Sequence, residues 1–132
     1  MLHTPPIEVI TVKCGDEEYD GYFCHPRDPA PGKWPAVFLI GGANRQTGIT
    51  NTRLREIATF ATGIGPAKEI VLAQPDLVER AHALGLTVTP YTFRSSATNS
   101  FDSLEKEMRH FLFTLGVDAL FTDNPDRFPR QP

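Results

Sequence analysis

Two similar junctions, 31 residues apart, limit what this chain of 132 residues can fold into. Leu84-Gly85-Leu86 and Leu115-Gly116-Val117 each follow a segment with helical apolar spacing and precede a short strand-like segment. Glycine is typical of the left-handed C-cap that ends a helix, and one strand–helix unit of a parallel sheet takes roughly 30 residues. The repeat therefore predicts an α/β fold with parallel strand–helix units.

Three amphipathic helices are predicted between residues 51 and 115. Asn51 and Thr52 are the expected caps of the first helix, and Asp102 with Glu105 three residues later has the spacing of a capping box for the third. The segment Gly63-Ile64-Gly65-Pro66 is expected to stop the first helix. The apolar faces of the three helices comprise Leu54, Ile57, Ala58 and Ala61, then Leu77, Val78, Ala81 and Leu84, then Leu104, Met108, Phe111, Leu112 and Leu115.

The first 50 residues have the pattern of strands. Residues 7–13 and 19–24 are rich in β-branched and aromatic residues around Gly15-Asp16-Glu17, which predicts a β-hairpin. The run 36–40 is apolar throughout and is followed by Gly41-Gly42. A continuous apolar run of this length predicts a strand that is covered on both faces.

We predict a single domain over residues 1–132, with an N-terminal strand segment at 1–50 and helix–strand units of a partial (β/α) barrel at 51–132. The N-terminal strands are expected to share one mixed sheet with parallel strands at 86–93 and 117–122. Three strand–helix units do not close a barrel of eight, so open edges are expected to remain. A homo-oligomer, most simply a symmetric dimer, is expected to cover them.

The composition argues against several partners. The net charge of −3 offers no basic surface for a polyanion, so nucleic acid is not expected as a partner. No apolar run approaches the roughly 18 residues that a membrane helix needs, and residues 1–6 lack the pattern of a secretion signal. Cys14 and Cys24 flank the predicted hairpin at positions that do not face each other, so free thiols and a cytoplasmic location are expected.

Three longer segments in the C-terminal part occur in a characteristic order: ATGIGPAK at 61–68, AHALGLTVTPYTFR at 81–94 and LGVDALFTDNPD at 115–126. Over about residues 54–128 they resemble the last units of the glycerophosphodiester phosphodiesterase barrel. The resemblance implies a (β/α) barrel whose site lies at the C-terminal ends of the strands.

The same resemblance implies metal-binding carboxylates and a pair of histidines on early and middle strands. The family is expected to carry them in His-Arg-Gly, Glu-x-Asp and His-Asp strings. His-Arg-Gly and His-Asp do not occur in this sequence. We therefore expect this chain to lack matching positions for the metal ligands and for the acid/base pair, and to have no cofactor or metal site.

The N-terminal part, about residues 7–45, is similar to the opening strands of α/β-hydrolases of the dienelactone hydrolase kind. The similarity lies in residues 19–26 and in 34–43, where a strand ends in two glycines. In those enzymes the following loop supplies an N–H to the oxyanion hole, and the nucleophile lies in a Gly-x-Ser-x-Gly turn. That turn is absent from the chain. Together the two resemblances predict a chimera of two α/β fragments.

The predicted binding residues are Tyr91, Arg94 and Asp123. Tyr91 and Arg94 lie at the end of one predicted strand and Asp123 at the end of its parallel neighbour, and such ends face the same crevice. Arg94 is suited to hold a small phosphate-bearing ligand by charge-assisted hydrogen bonds. An Arg94–Asp123 ion pair without a ligand is the alternative. No catalytic residue is predicted.

The sequence leaves two functions open. One is a non-catalytic chimeric or truncated α/β module that lacks the active site of either parent family. The other is a metal-dependent phosphodiester hydrolase of the glycerophosphodiester phosphodiesterase type. The missing histidine strings favour the first, and the resemblance implies the second.

Overall fold

The computed structural model describes the backbone of residues 7–14 and 17–24 and the whole of residues 36–130. It divides into two compact units, Met1–Trp34 and Pro35–Pro132, and each is described here by itself.

The first unit contains two antiparallel strands, β1 (Ile7–Cys14) and β2 (Glu17–Cys24). The predicted turn falls partly outside the described residues. In the register of this pair Cys14 lies opposite Glu17 and Cys24 lies opposite Ile7. The two cysteines are therefore at opposite ends of the pair, which agrees with the expectation that they do not face each other.

The second unit alternates strands and helices. Its elements are β3 (Val37–Ile40), α1 (Asn44–Thr47), α2 (Asn51–Ala58), β4 (Gly63–Pro66), α3 (Lys68–Ala73), α4 (Leu77–Ala83), β5 (Thr87–Val88) and α5 (Leu104–Arg109). Helix α5 continues as a π-helical turn over His110–Thr114, and a 3₁₀ turn covers Pro125–Arg127.

Strands β3, β4 and β5 form a parallel sheet in that order, with Val37 opposite Gly63 and Gly63 opposite Thr87. Residues 117–123 continue the sheet beyond β5 by backbone hydrogen bonds such as Asp118 N–H to the Val88 carbonyl (3.0 Å) and Phe93 N–H to the Phe121 carbonyl (2.8 Å). Phe93 and Thr122 form a parallel bridge within this pairing. The predicted parallel α/β arrangement is confirmed, and it is consistent with part of a (β/α) barrel.

The single mixed sheet predicted from the sequence is wrong. Within the described residues the antiparallel pair and the parallel strands form two separate sheets. The physical reason is that each set completes its pairing locally. The two N-terminal strands bond to each other, and the parallel strands are joined through helices, as parallel pairing requires.

The segment Gly63–Pro66 is the central strand β4 and not a helix stop, so that prediction is also wrong. A Cβ on Gly63 would contact Thr87 Oγ1, and one on Gly65 would lie 2.6 Å from Leu39 Cδ2. A larger residue at either position would displace a side chain of the neighbouring strand, and glycine avoids this contact.

The helix caps lie one residue away from the predicted ones. Thr50 Oγ1 accepts a hydrogen bond from Arg53 N–H (3.2 Å), and Ser103 Oγ accepts one from Lys106 N–H (3.2 Å). Asp102 instead accepts a hydrogen bond from Lys106 Nζ at 2.7 Å, and this bond and the ammonium charge hold the pKa of the Asp102 carboxyl below its usual value. In both helices the capping residue is thus the one whose hydroxyl accepts a hydrogen bond from the third helical N–H.

The helices and the parallel strands share one hydrophobic core. The predicted apolar faces are largely confirmed, since Leu54, Ile57, Leu77, Val78, Ala81, Leu104, Met108 and Phe111 are buried. Leu84, by contrast, is exposed. No helix within the described residues is long and apolar enough to cross a membrane.

Strand β3 is not covered on both faces, contrary to the prediction. Ile40 is buried, but Val37 and Leu39 are 49% and 63% exposed. Alternate residues of a strand point to opposite faces, so Val37 and Leu39 belong to the face opposite Ile40. The prediction of two covered faces fails because an apolar run does not show which face of a strand is covered.

Candidate ligand-binding edge of the sheet

The carboxyl ends of the parallel strands are joined into one edge by a few hydrogen bonds. The Ile40 carbonyl accepts bonds from Ala67 N–H (2.8 Å) and from the Tyr91 hydroxyl (3.1 Å). The Tyr91 carbonyl in turn accepts a bond from Lys68 N–H (2.8 Å). These bonds fix the strand ends relative to one another, which a binding site at this edge requires.

Arg94 and Asp123 meet at this edge. Asp123 N–H donates to the Phe93 carbonyl (3.0 Å), which aligns the two segments. Arg94 Nε lies 3.4 Å from Asp123 Oδ2, and the two side chains are 48% and 57% exposed. The ion pair that the sequence left as an alternative is therefore present. Exposed pairs of this kind contribute little to stability, so the guanidinium remains available to an anionic ligand.

Tyr91, the third predicted binding residue, lies at the same edge but is engaged differently. Its hydroxyl donates to the Ile40 carbonyl, and its half-buried ring packs against the core. A Cβ on Gly41 would contact this hydroxyl, so a larger residue there would displace the Tyr91 side chain. The structure brings Arg94 and Asp123 together, whereas Tyr91 links strand ends.

A buried ion pair close to this edge was not predicted. Lys68 Nζ lies 3.0 Å from Glu107 Oε1, and the side chains are 3% and 0% exposed. The ammonium also donates to the Ala97 carbonyl and lies 5.2 Å from the centre of the Phe93 ring. Asn99 Nδ2 donates to Glu107 Oε1 at 2.8 Å. Buried charges are tolerated only when they are paired and hydrogen-bonded in this way.

One sequence signal for this pair was available. Glu107 follows Leu104 by three residues and precedes Phe111 by four, so it lies on the apolar face of its helix. A carboxylate on such a face needs a buried cationic or hydrogen-bonding partner. The identity of that partner, 39 residues earlier, is not encoded locally.

The described residues do not fit a metal ion. They contain no group of three or more His, Cys, Asp or Glu side chains that is arranged to hold one. His82 Nε2 lies 2.8 Å from Asp118 Oδ2 at the surface, and the ring of His110 is partly buried against Phe101. His82 is thus exposed and paired with one carboxylate, whereas His110 is partly buried.

The sequence of this chain is similar to that of a known protein family. Residues 23–127 match the model of the glycerophosphoryl diester phosphodiesterase family, and the chain belongs to that family. It is 35% identical to the glycerophosphodiester phosphodiesterase GDPD6 of Arabidopsis thaliana, over 67% of this chain and 30% of that protein. It is 32% identical to a glycerophosphodiester phosphodiesterase of Bacillus subtilis (strain 168), over 71% of this chain and 28% of that protein. The chain thus spans less than a third of the length of these curated relatives.

The family match supports the C-terminal resemblance and gives no support to a chimera. It covers residues on both sides of position 50 and includes β3, the strand that resembles one of the α/β-hydrolases. Of the three strings expected for the family, one is present in the sequence. A Glu-x-Asp string does occur, as Glu18-Tyr19-Asp20, but it precedes the matched residues and its side chains lie outside the described part of the chain.

Proposed function

We propose that this chain forms the phosphate-binding edge of a barrel that hydrolyses glycerophosphodiesters. Family membership supports the class of substrate. The observation that carries the proposal is the half-exposed guanidinium of Arg94 at the carboxyl end of a parallel strand. Sites in barrels of this kind lie at that end.

Arg94 has the chemistry that a phosphodiester requires. Its planar guanidinium can donate two parallel hydrogen bonds to the non-bridging phosphate oxygens. Asp123 Oδ2 lies 3.4 Å from Nε of the same group and attracts it electrostatically. Asp123 therefore competes with the phosphate for Arg94, and its negative charge also repels the ligand.

The role proposed for the chain's own residues is binding and orientation. The His-Arg-Gly and His-Asp strings are absent, and the described residues hold no metal cluster, so we assign no bond-breaking step to them. Hydrolysis is proposed for a barrel in which other strands supply those groups. The proposal thus takes elements of both functions that the sequence leaves open. The chain itself is a binding module, and the family match supports a hydrolase as the complete barrel.

A titration with glycerophosphocholine, followed by NMR or calorimetry, tests the proposal. We expect weak binding, with a dissociation constant on the order of a millimolar. Arg94→Ala should weaken it roughly tenfold because one charge-assisted bond pair is lost. Asp123→Asn should strengthen it, since the competing charge is removed while the shape is kept.

Arg55→Ala is the matched control, because it removes an exposed arginine from α2 and the same unit of charge. It should leave the affinity nearly unchanged. Equal losses for Arg94→Ala and Arg55→Ala would mean that only net charge matters and would contradict a site at Arg94.

A further inference from the structure

The buried pair Lys68–Glu107 contacts the segment that follows Arg94. We call residues 95–102 the edge loop, since this segment leads from the carboxyl edge of the sheet to the cap of α5. Lys68 Nζ donates to the Ala97 carbonyl, and Asn99 Nδ2 donates to Glu107 Oε1 (2.8 Å). One partner of the pair thus binds the backbone of the edge loop, and the other binds a side chain of it.

The conformation of the edge loop depends on these contacts. Asn99 has a φ of 53°, a left-handed conformation that Asn adopts more readily than most residues. The bond from its amide to the buried carboxylate holds the residue in this conformation. Few other bonds order the loop internally, among them Ala97 N–H to the Arg94 carbonyl (3.1 Å) and Phe101 N–H to the Thr98 carbonyl (3.0 Å).

The edge loop is also tied to the proposed binding residues. Ser95 N–H donates to Asn124 Oδ1 at 3.0 Å, directly after Asp123. The bond from Ala97 N–H reaches back to Arg94 itself. A displacement of the loop would therefore move the backbone on both sides of the Arg94–Asp123 pair.

We propose that Lys68 and Glu107 are positioning residues, which hold the edge loop and through it Arg94 in the geometry that binds the phosphodiester. This inference rests on the proposed function. A buried ion pair contributes little more to stability than an apolar pair of equal volume. An apolar pair would fill the same space but would bind neither the Ala97 carbonyl nor the Asn99 amide. The charged pair therefore supplies the loop's fixed donor and acceptor.

The double variant Lys68→Met/Glu107→Leu separates positioning from stability. It removes both charges at similar volume, so the chain should stay folded. Hydrogen exchange measured by mass spectrometry should become at least roughly tenfold faster in peptides covering 95–102, because local opening becomes easier. Exchange in residues 54–66 should not change. Binding of glycerophosphocholine should weaken roughly tenfold, since a misplaced guanidinium loses its aligned bonds.

Two further variants complete the design. Glu105→Leu/Arg109→Met removes an exposed pair on α5, whose side chains are 3.5 Å apart and 56% and 41% exposed, and should change neither readout. Glu107→Gln keeps the shape of the side chain and removes only its charge, and it is compared with the wild-type chain by the same two measurements. It should also loosen the edge loop, because an amide cannot offer Lys68 and Asn99 two acceptor oxygens.

The outcomes separate this inference from the proposed function. Unchanged exchange in the edge loop of the folded double variant would overturn the inference, and so would a loosened loop with unchanged affinity. A wild-type chain that binds no glycerophosphocholine would contradict the proposed function instead. In that case the exchange data alone would support or overturn the ordering of the loop by Lys68 and Glu107.

Discussion

Lys68→Met should be among the most destabilising single substitutions in this chain. It would leave the fully buried carboxylate of Glu107 without its cation. Removal of one partner of a buried ion pair costs roughly 3–5 kcal/mol because the remaining charge is uncompensated. That is a large part of the total stability of a domain of this size. Urea denaturation followed by circular dichroism measures the loss.

Lys106→Met is the control for this experiment. Lys106 also forms an ion pair with a carboxylate, Asp102, at 2.7 Å, but its side chain is 64% exposed. Water solvates both charges there, so the substitution should change stability little. If the two lysine variants lost the same stability, the pair Lys68–Glu107 would not be buried as described.

Phe111→Ala should cost roughly 3–5 kcal/mol, as expected for removal of a fully buried aromatic ring. Phe111 has no exposed surface and lies edge-on to Phe93, with ring centres 4.8 Å apart. Its carbonyl accepts a hydrogen bond from Val117 N–H (3.1 Å), which joins the helix end to the last sheet segment. Chemical denaturation of the variant measures the effect.

Phe113→Ala makes the matched comparison. Phe113 lies in the same π-helical turn, but it is 49% exposed. Phe113→Ala should lower the free energy of unfolding by less than about 1 kcal/mol, since little apolar surface is buried there. A Phe111→Ala loss as small as that of Phe113→Ala would show that the predicted helical face does not form the core.

Periodicity predicted the parts of this fold that depend on local spacing. The apolar faces of the helices follow from their spacing, and Gly85 and Gly116 have the left-handed φ values, 73° and 75°, that the helix ends require. The glycines of β4 were predicted to end a helix, and this is wrong because their role depends on residues that are distant in the sequence. Only the neighbouring Thr87 and Leu39 side chains reveal that Gly63 and Gly65 fill a crowded strand.

In the candidate site, too, some contacts could be predicted from the sequence and others depend on distant parts of the chain. Arg94 and Asp123 were predicted together because parallel strand ends meet at one edge, and the structure places them 3.4 Å apart. The pair Lys68–Glu107 joins residues 39 positions apart, and sequence spacing cannot show which strand end meets which helix. The dimer and the cytoplasmic location stay predictions.

The central proposal is that this chain provides the binding edge of a hydrolytic barrel in which other strands supply the bond-breaking groups. The most direct measurement is a glycerophosphocholine hydrolysis assay with added divalent metal ions. It compares the chain alone with a hybrid in which the chain replaces the matched part of the Bacillus subtilis relative. We predict no turnover by the chain alone, turnover by the hybrid, and a marked loss in the hybrid that carries Arg94→Ala. Turnover by the chain alone at about one per second or faster, or a folded hybrid whose activity is unaffected by Arg94→Ala, would contradict this account.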